Sequence, residues 1–317
     1  MRELPASEVA LLTGAAAAMR GHRVVLAGSG GFLGRWLEAA LRPICDLQAL
    51  DLIEGFDITD AAAVARLAPP AFIIHAAGHA SPWAYRARPL STIAGAIDGT
   101  RNLLELSRES GARMLFFSSS EIYGNPTVVP TPEWDNGNVN CRGPRACYDE
   151  SKRLAETLCQ VYHELYGARV VTVRPFNVYG PGMALDDGRA VPAFARRIID
   201  GEPIAVYGDG SQTRTYCYVT DALRGCLAAL QYGQPGRVYN IGAAVPEISA
   251  AQLASMLCEI SGAKVAVEAS GGYPADYPSD EPRRRCPDLK RARSELGYDP
   301  QVALDDGLRR YLMWVGL

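Results

Sequence analysis

A chain of 317 residues with 48% apolar and 21% charged residues has the composition of a folded globular protein, long enough for a large α/β unit or two domains. Its 32 basic residues against 35 acidic ones leave a net charge of −3, which excludes the basic excess that a nucleic-acid backbone requires. No run of about 18 to 20 apolar residues marks a membrane helix, and eight scattered cysteines form no disulfide framework, nor do Cys141 and Cys147 have the close CxxC pairing of a structural zinc site.

The composition therefore predicts a cytoplasmic protein with reduced thiols and neither nucleic acid nor membrane as partner. The first 22 residues have an Ala-rich apolar middle, broken by Glu3, Glu8 and Arg20. They predict a short amphipathic leading helix capped by Ser7 rather than a signal peptide. Residues 23–27 are β-prone and run into Gly28-Ser29-Gly30-Gly31-Phe32-Leu33-Gly34, after which a helical pattern begins: strand, glycine turn, helix. Further buried strands are predicted at 47–52, ending around Asp51, and at 71–77, 113–118 and 168–174, with helices notably at 91–109 and 148–165. This alternation predicts an α/β fold with a Rossmann-type doubly wound parallel sheet. After Arg174 the prolines at 175, 181, 192 and 203 and many glycines predict a smaller C-terminal lobe, with helices at 248–260 and at 289–296, the latter closed by Gly297.

The turn Gly28-x-Gly30-Gly31-x-x-Gly34 lets backbone approach a pyrophosphate and aims a helix N-terminus at its charge. Gly28, Gly30, Gly31, Phe32, Leu33 and Gly34 are thus candidate cofactor residues. Asp51, 23 residues beyond Gly28, stands where a carboxylate accepts the hydroxyls of an adenosine ribose, and its charge favours NAD over NADP. Asp57, followed by Ile58, reads equally as a partner of the adenine amine or as a loop cap. Small residues at Ala76 and Ala77 let the cofactor lie close to the sheet, whereas His75 and His79 make no metal site, and none is expected. On this basis residues 1–174 form mainly the NAD-binding domain, with 211–245 returning to it, and 175–210 and 246–317 form mainly a substrate-binding lobe.

Tyr148 and Lys152 are four residues apart at the start of a predicted helix and share one face. A lysine ammonium beside a tyrosine hydroxyl favours phenolate, which makes Tyr148 a base near neutral pH. The hydroxyls of Ser118-Ser119-Ser120, ahead of Glu121 at the end of a sheet strand, can hold the substrate hydroxyl that Tyr148 deprotonates.

These pieces occur in one order with SSSEIYG at 118–124, GPRACYDESKRLAET at 143–157, RPFNVYGPGM at 174–183, DGRAVPAF at 187–194, VYGDGSQTRTYCYVTD at 206–221 and DEPRRRCPDLKRARSELGY at 280–298. From Gly21 onward the chain resembles the extended short-chain dehydrogenase/reductases, and within them the UDP-glucuronate decarboxylases, or UDP-xylose synthases. The resemblance implies an NAD-dependent carboxy-lyase with catalytic Tyr148, Lys152, Ser119, Ser120, Glu121 and Arg214. Tyr148 takes the sugar 4-hydroxyl proton as hydride passes from C4 to NAD, and the C4 ketone then accepts the electrons released with CO2. Glu121 or Arg214 assists protonation of C5, and return of the hydride gives UDP-xylose without net redox change. By the same resemblance Asn177, Arg189, Tyr207 and Arg214 hold the nucleotide-sugar end, Arg284 joins the phosphate contacts, and Ser81 and Tyr85 meet the sugar or its carboxylate. A homodimer through first-lobe helices, including that of Tyr148, is also implied.

The family usually reads Thr-Ser-Glu where this chain has Ser119-Ser120-Glu121, which loses a methyl group that fixes the hydroxyl. Escape of some UDP-4-keto-pentose and NADH therefore stays open. A UDP-sugar or UDP-uronate 4-epimerase, a nucleotide-sugar 4,6-dehydratase and a non-catalytic NAD-binding sensor are the alternatives.

Overall fold

Six short apolar segments pair in parallel: β1 (Arg23–Ala27), β2 (Asp46–Leu50), β3 (Phe72–His75), β4 (Arg113–Phe117), β5 (Arg169–Pro175) and β6 (Val238–Ile241). In the computed structural model, which describes residues 2–272 and 282–317, they form one sheet in the order β2-β1-β3-β4-β5-β6. Asp280 and Glu281 of the closing motif lie outside the described residues.

Along β1 the side chains alternate between two cores, as a two-residue period dictates. Val24 and Leu26 join Leu12, Trp36, Leu37, Leu223 and Leu227 on one face, while Val25 and Ala27 join Leu103, Leu104, Ala155 and Cys159 on the other. The helices that supply these residues are α1 (Ala6–Ala15), α2 (Phe32–Leu41), α3 (Thr100–Ser110), α4 (Ala146–Tyr166) and, further along the chain, Val219–Tyr232. With both faces covered, the sheet's inner strands read as continuous apolar runs. Among the described residues no helix is long and apolar enough to cross a membrane.

The chain winds from β1 to β2 in one direction and from β3 through β6 in the other, so a crevice opens beyond the C-terminal ends of β1 and β3. The usual dinucleotide-binding order carries a further strand outside β2. Here a 3-10 turn at Leu52–Glu54 and a short helix at Ala61–Ala65 lead from β2 to β3, which leaves β2 at the sheet edge. The smaller lobe includes Thr213–Arg214 paired with both Ile248–Ser249 and Arg284–Arg285, and helices at Ala190–Asp200, Ala250–Ser261 and Leu304–Val315.

One end signal differs from expectation. Pro5 occupies the N-cap of α1, and Ser7 lies inside the helix, exposed, where it caps nothing. Proline's fixed φ already suits the helix entrance, and no side-chain hydrogen bond closes it.

Candidate active site

The glycine turn is built by close approach. Gly28 takes φ +90°, and a Cβ there would stand 2.5 Å from the Ala77 nitrogen at the end of β3. A Cβ on Gly34 would overlap the Gly28 carbonyl oxygen, so α2 can start tight against β1 only without side chains at both positions. Gly31 is the N-cap of α2, and Gly31, Phe32, Leu33, Gly34 and Ala76 line the crevice. Across the turn Asp51 accepts the Gly30 and Ile53 backbone N–H groups, each at 2.9 Å. A cradle that any Cβ would fill, a helix N-terminus and a carboxylate fit the pyrophosphate and ribose of a dinucleotide. Asp57 closes its own turn, Oδ1 accepting the Thr59 N–H and hydroxyl at 2.8 Å, and Ile58 is buried beside it with its carbonyl receiving Asn102 Nδ2.

The same crevice continues as one cavity of about 480 Å³ that also brings together Ser81, Tyr85, Ser119, Ser120, Glu121 and Tyr148 from the first lobe. Asn177, Arg189, Tyr207, Arg214 and Arg285 face them. Tyr148 stands in the first turn of α4, its ring stacked on Tyr85 with centroids 5.2 Å apart, and the Ser119 hydroxyl hydrogen-bonds it. Burial, with smaller contributions from Glu121 and Asp149, pushes its hydroxyl up to about 12 against the pull of Ser119.

Helical spacing alone places Lys152 beside Tyr148, yet its ammonium donates to the Phe117 carbonyl at 2.7 Å and lies over the Phe116 ring. Burial lowers its pKa to about 8. The ammonium is thus tied to the end of β4, where the Phe117 carbonyl satisfies part of the hydrogen-bonding need of a buried cation.

Glu121 is the electrostatic centre. Its Oε2 receives Arg145 Nη2 at 2.6 Å and Arg285 Nη2 at 2.7 Å, all three side chains being largely buried. Burial favours the neutral acid, but Arg145, Arg285 and Arg214 together hold Glu121 below the usual carboxylate range. An ionised Glu121 would assist protonation of C5 by orienting a water molecule rather than by giving up its own proton. Asp149, one turn along from Arg145, moves the opposite way: burial and the charge of Glu121 raise it, and its Oδ1 is buried without a hydrogen bond among the described residues.

Arg284 also departs from expectation. It is exposed, and its guanidinium pairs with Glu247, Nη2 to Oε2 at 2.6 Å, away from the cavity. Arg285 takes the inward place, since successive residues of a strand point to opposite faces. Asn177, at φ 40°, donates Nδ2 to the Thr215 carbonyl at 2.8 Å, and Arg189 forms an ion pair with Asp187. Ser81 caps the short helix that carries Tyr85. Arg145, Asp149 and Arg285 were missed in sequence; the RACYDESK and RRR runs held them without any local sign that they converge on Glu121.

The chain matches the NAD dependent epimerase/dehydratase family over residues 17–242. UDP-glucuronic acid decarboxylase 3 of Arabidopsis thaliana is 40% identical over 236 residues, which span 74% of this chain and 67% of that protein. UDP-glucuronic acid decarboxylase 1 of Xenopus tropicalis is 41% identical over 240 residues, 75% of this chain and 55% of that one. Among solved structures, the UDP-glucose 4-epimerase of Thermotoga maritima, with UDP-glucose, superposes with a TM-score of 0.82 at 25% identity, covering 92% of this chain and 98% of the other. A dTDP-glucose 4,6-dehydratase of Streptomyces venezuelae with NAD bound gives 0.79 at 26% identity, covering 92% and 96%.

Proposed function

The chain belongs to the NAD dependent epimerase/dehydratase family and, within it, to the UDP-glucuronic acid decarboxylases, and on that premise we propose that it converts UDP-glucuronate to UDP-xylose and CO2 through a 4-keto sugar, with NAD as cofactor. The observation that carries this reading is Glu121 held between Arg145 and Arg285 beside the Tyr148 and Ser119 hydroxyls. Gly28, Gly30, Gly31, Gly34 and Asp51 would hold the cofactor, and Asp51 repels the 2′-phosphate that distinguishes NADP. When bound, NAD supplies the acceptor for the C4 hydride and its return.

Tyr148 removes the proton of the sugar 4-hydroxyl, with Ser119 hydrogen-bonded to the same oxygen region. In the free protein its hydroxyl is too weak an acid for this task, and a positive charge beside the ring brings it into range. Once C4 is a ketone it lies β to the carboxylate, and loss of CO2 leaves an enolate on O4. Tyr148 and Ser119 then donate to that oxyanion, where charge develops in the transition state. Water in the cleft supplies the C5 proton. A bare arginine would stabilise the substrate carboxylate in its ground state and slow the loss of CO2. Glu121 already occupies Arg145 and Arg285, so the cluster admits a carboxylate without clamping it. Arg189, Arg214 and Asn177 line the same cavity and are the groups assigned to the diphosphate and sugar.

Apolar Leu154, Leu158, Val161 and Leu165 recur at helical spacing along α4, three of them exposed. This stripe supports a homodimer through α4.

The test is incubation with UDP-glucuronate and NAD⁺. UDP-xylose and CO2 in equal amounts are expected; UDP-galacturonate without CO2 would make the chain a 4-epimerase, and NADH accumulating with UDP-4-keto-pentose would show escape of the intermediate.

A further inference from the structure

The short helix Pro82–Ala87 touches both lobes. Tyr85 reaches inward from it and stacks on Tyr148 with the ring planes 15° apart. Trp83, on the same helix, lies against Gly188 in the loop that enters helix Ala190–Asp200, and a Cβ built on Gly188 would overlap the indole Nε1 and Cδ1. Gly188 has φ +85°, a conformation that side chains rarely adopt. Its neighbours Asp187 and Arg189 both line the cavity and form a two-pronged ion pair, one contact of which, Arg189 Nη2 to Asp187 Oδ2, is 2.8 Å. The Arg189 charge acts on both Tyr148 and Glu121. The indole thus rests on the stretch of the second lobe that brings an arginine to the reacting tyrosine, and the helix behind it carries that tyrosine's stacking partner.

We propose that Trp83 is a positioning residue: seated on Gly188, it clasps the Asp187–Arg189 loop to the first lobe and keeps the keto sugar in place long enough to be reduced rather than released. This rests on the reaction proposed above. Reduction and escape are competing exits from one intermediate, and a looser wall favours the exit that needs opening. The atoms balance on both branches. Escape leaves one CO2, one UDP-4-keto-pentose and one NADH per UDP-glucuronate and NAD⁺ consumed, whereas the closed cycle takes up one proton and leaves CO2 and UDP-xylose.

The measurement is NADH formed per CO2 by the full chain, compared among wild type, Trp83→Ala, Trp83→Phe and Gly188→Ala. CO2 from the wild type tests the reaction itself; the ratio tests the clasp. Trp83→Ala and Gly188→Ala should raise the ratio on the order of fivefold, the effect of about 1 kcal/mol on a branching ratio. Trp83→Phe should keep it near the wild-type value. Equal ratios in all four proteins, with CO2 production intact, would overturn the proposal. A second readout needs no turnover and covers variants that fold poorly: acrylamide quenching, with the Trp83 signal taken as wild type minus Trp83→Phe. An indole shielded in the free protein and more so with UDP supports the clasp, and one freely quenched in both states overturns it.

Discussion

Glu121 and Asp149 share the same arginines yet shift in opposite directions, Glu121 down and Asp149 up. Two carboxylates so placed cannot both ionise cheaply, and the one with direct contacts to Arg145 and Arg285 wins the charge. For stability the sign follows directly. The folded protein holds the Asp149 proton more firmly than the unfolded chain, so its contribution is complete below the ordinary aspartate range and is lost as pH rises through the raised folded value. Asp149→Asn should therefore flatten the fall in stability with rising pH, read by urea unfolding across a pH series; an unchanged slope would show that Asp149 is already ionised in the fold. At the reacting centre, Tyr148→Phe should cut turnover on the order of 10³-fold. Calorimetry should find UDP binding within about threefold of the wild type, since the lost hydroxyl acts on C4 and not on the nucleotide.

The two-residue strand Arg284–Arg285 separates two otherwise equivalent arginines. Its pleat sends Arg285 to Glu121 and turns the exposed Arg284 to the half-buried Glu247. Arg285→Ala leaves a buried carboxylate with one partner fewer, a loss of about 3 kcal/mol where it is felt in the transition state, or about 100-fold in kcat/KM. Arg284→Ala removes a partly exposed pair outside the cavity and should change kcat/KM less than about threefold. Steady-state kinetics on the two variants decides between them, and equal losses would contradict the strand's assignment. The RRR run announced a basic stretch in the sequence, but the parity of a two-residue strand is set by its partners Thr213–Arg214, more than sixty positions away. No local pattern carries that information. The glycine turn was readable because part of its constraint is local: Gly28 and Gly34 meet each other within one strand-turn-helix unit. Asp51 was readable for the same reason, lying one βα unit further on. Asp51→Ser should weaken NAD binding about tenfold and narrow its preference over NADP, measured by equilibrium titration with both dinucleotides.

At the scale of the molecule the two lobes meet at the cavity: the turn after β4 and the first turn of α4 present Ser119, Glu121 and Tyr148, and the second lobe brings Arg189, Arg214 and Arg285 to them. The sheet was legible because buried parallel strands are apolar runs between helices. What escaped was the meeting of distant segments, Arg145 with Glu121 and Arg285, and the tie of Lys152 to Phe117, since a lysine four residues from a tyrosine looks the same whichever acceptor it chooses. The exposed stripe on α4 belongs to this scale as well. Leu154→Glu with Leu165→Glu should convert a dimer to a monomer in sedimentation velocity without lowering the melting temperature by more than a few degrees; an unchanged sedimentation coefficient would move the interface elsewhere.

In the proposed cycle a C4 hydride leaves the sugar, permits loss of its carboxylate and comes back. UDP-glucuronate deuterated at C4, turned over with NAD⁺ and read by mass spectrometry of the nucleotide-sugar product, tests all three parts at once. UDP-xylose that has lost CO2 and kept the deuterium at C4 is the expected product. A product that retains the carboxylate, or a UDP-xylose from which the deuterium has washed out, would contradict the cycle.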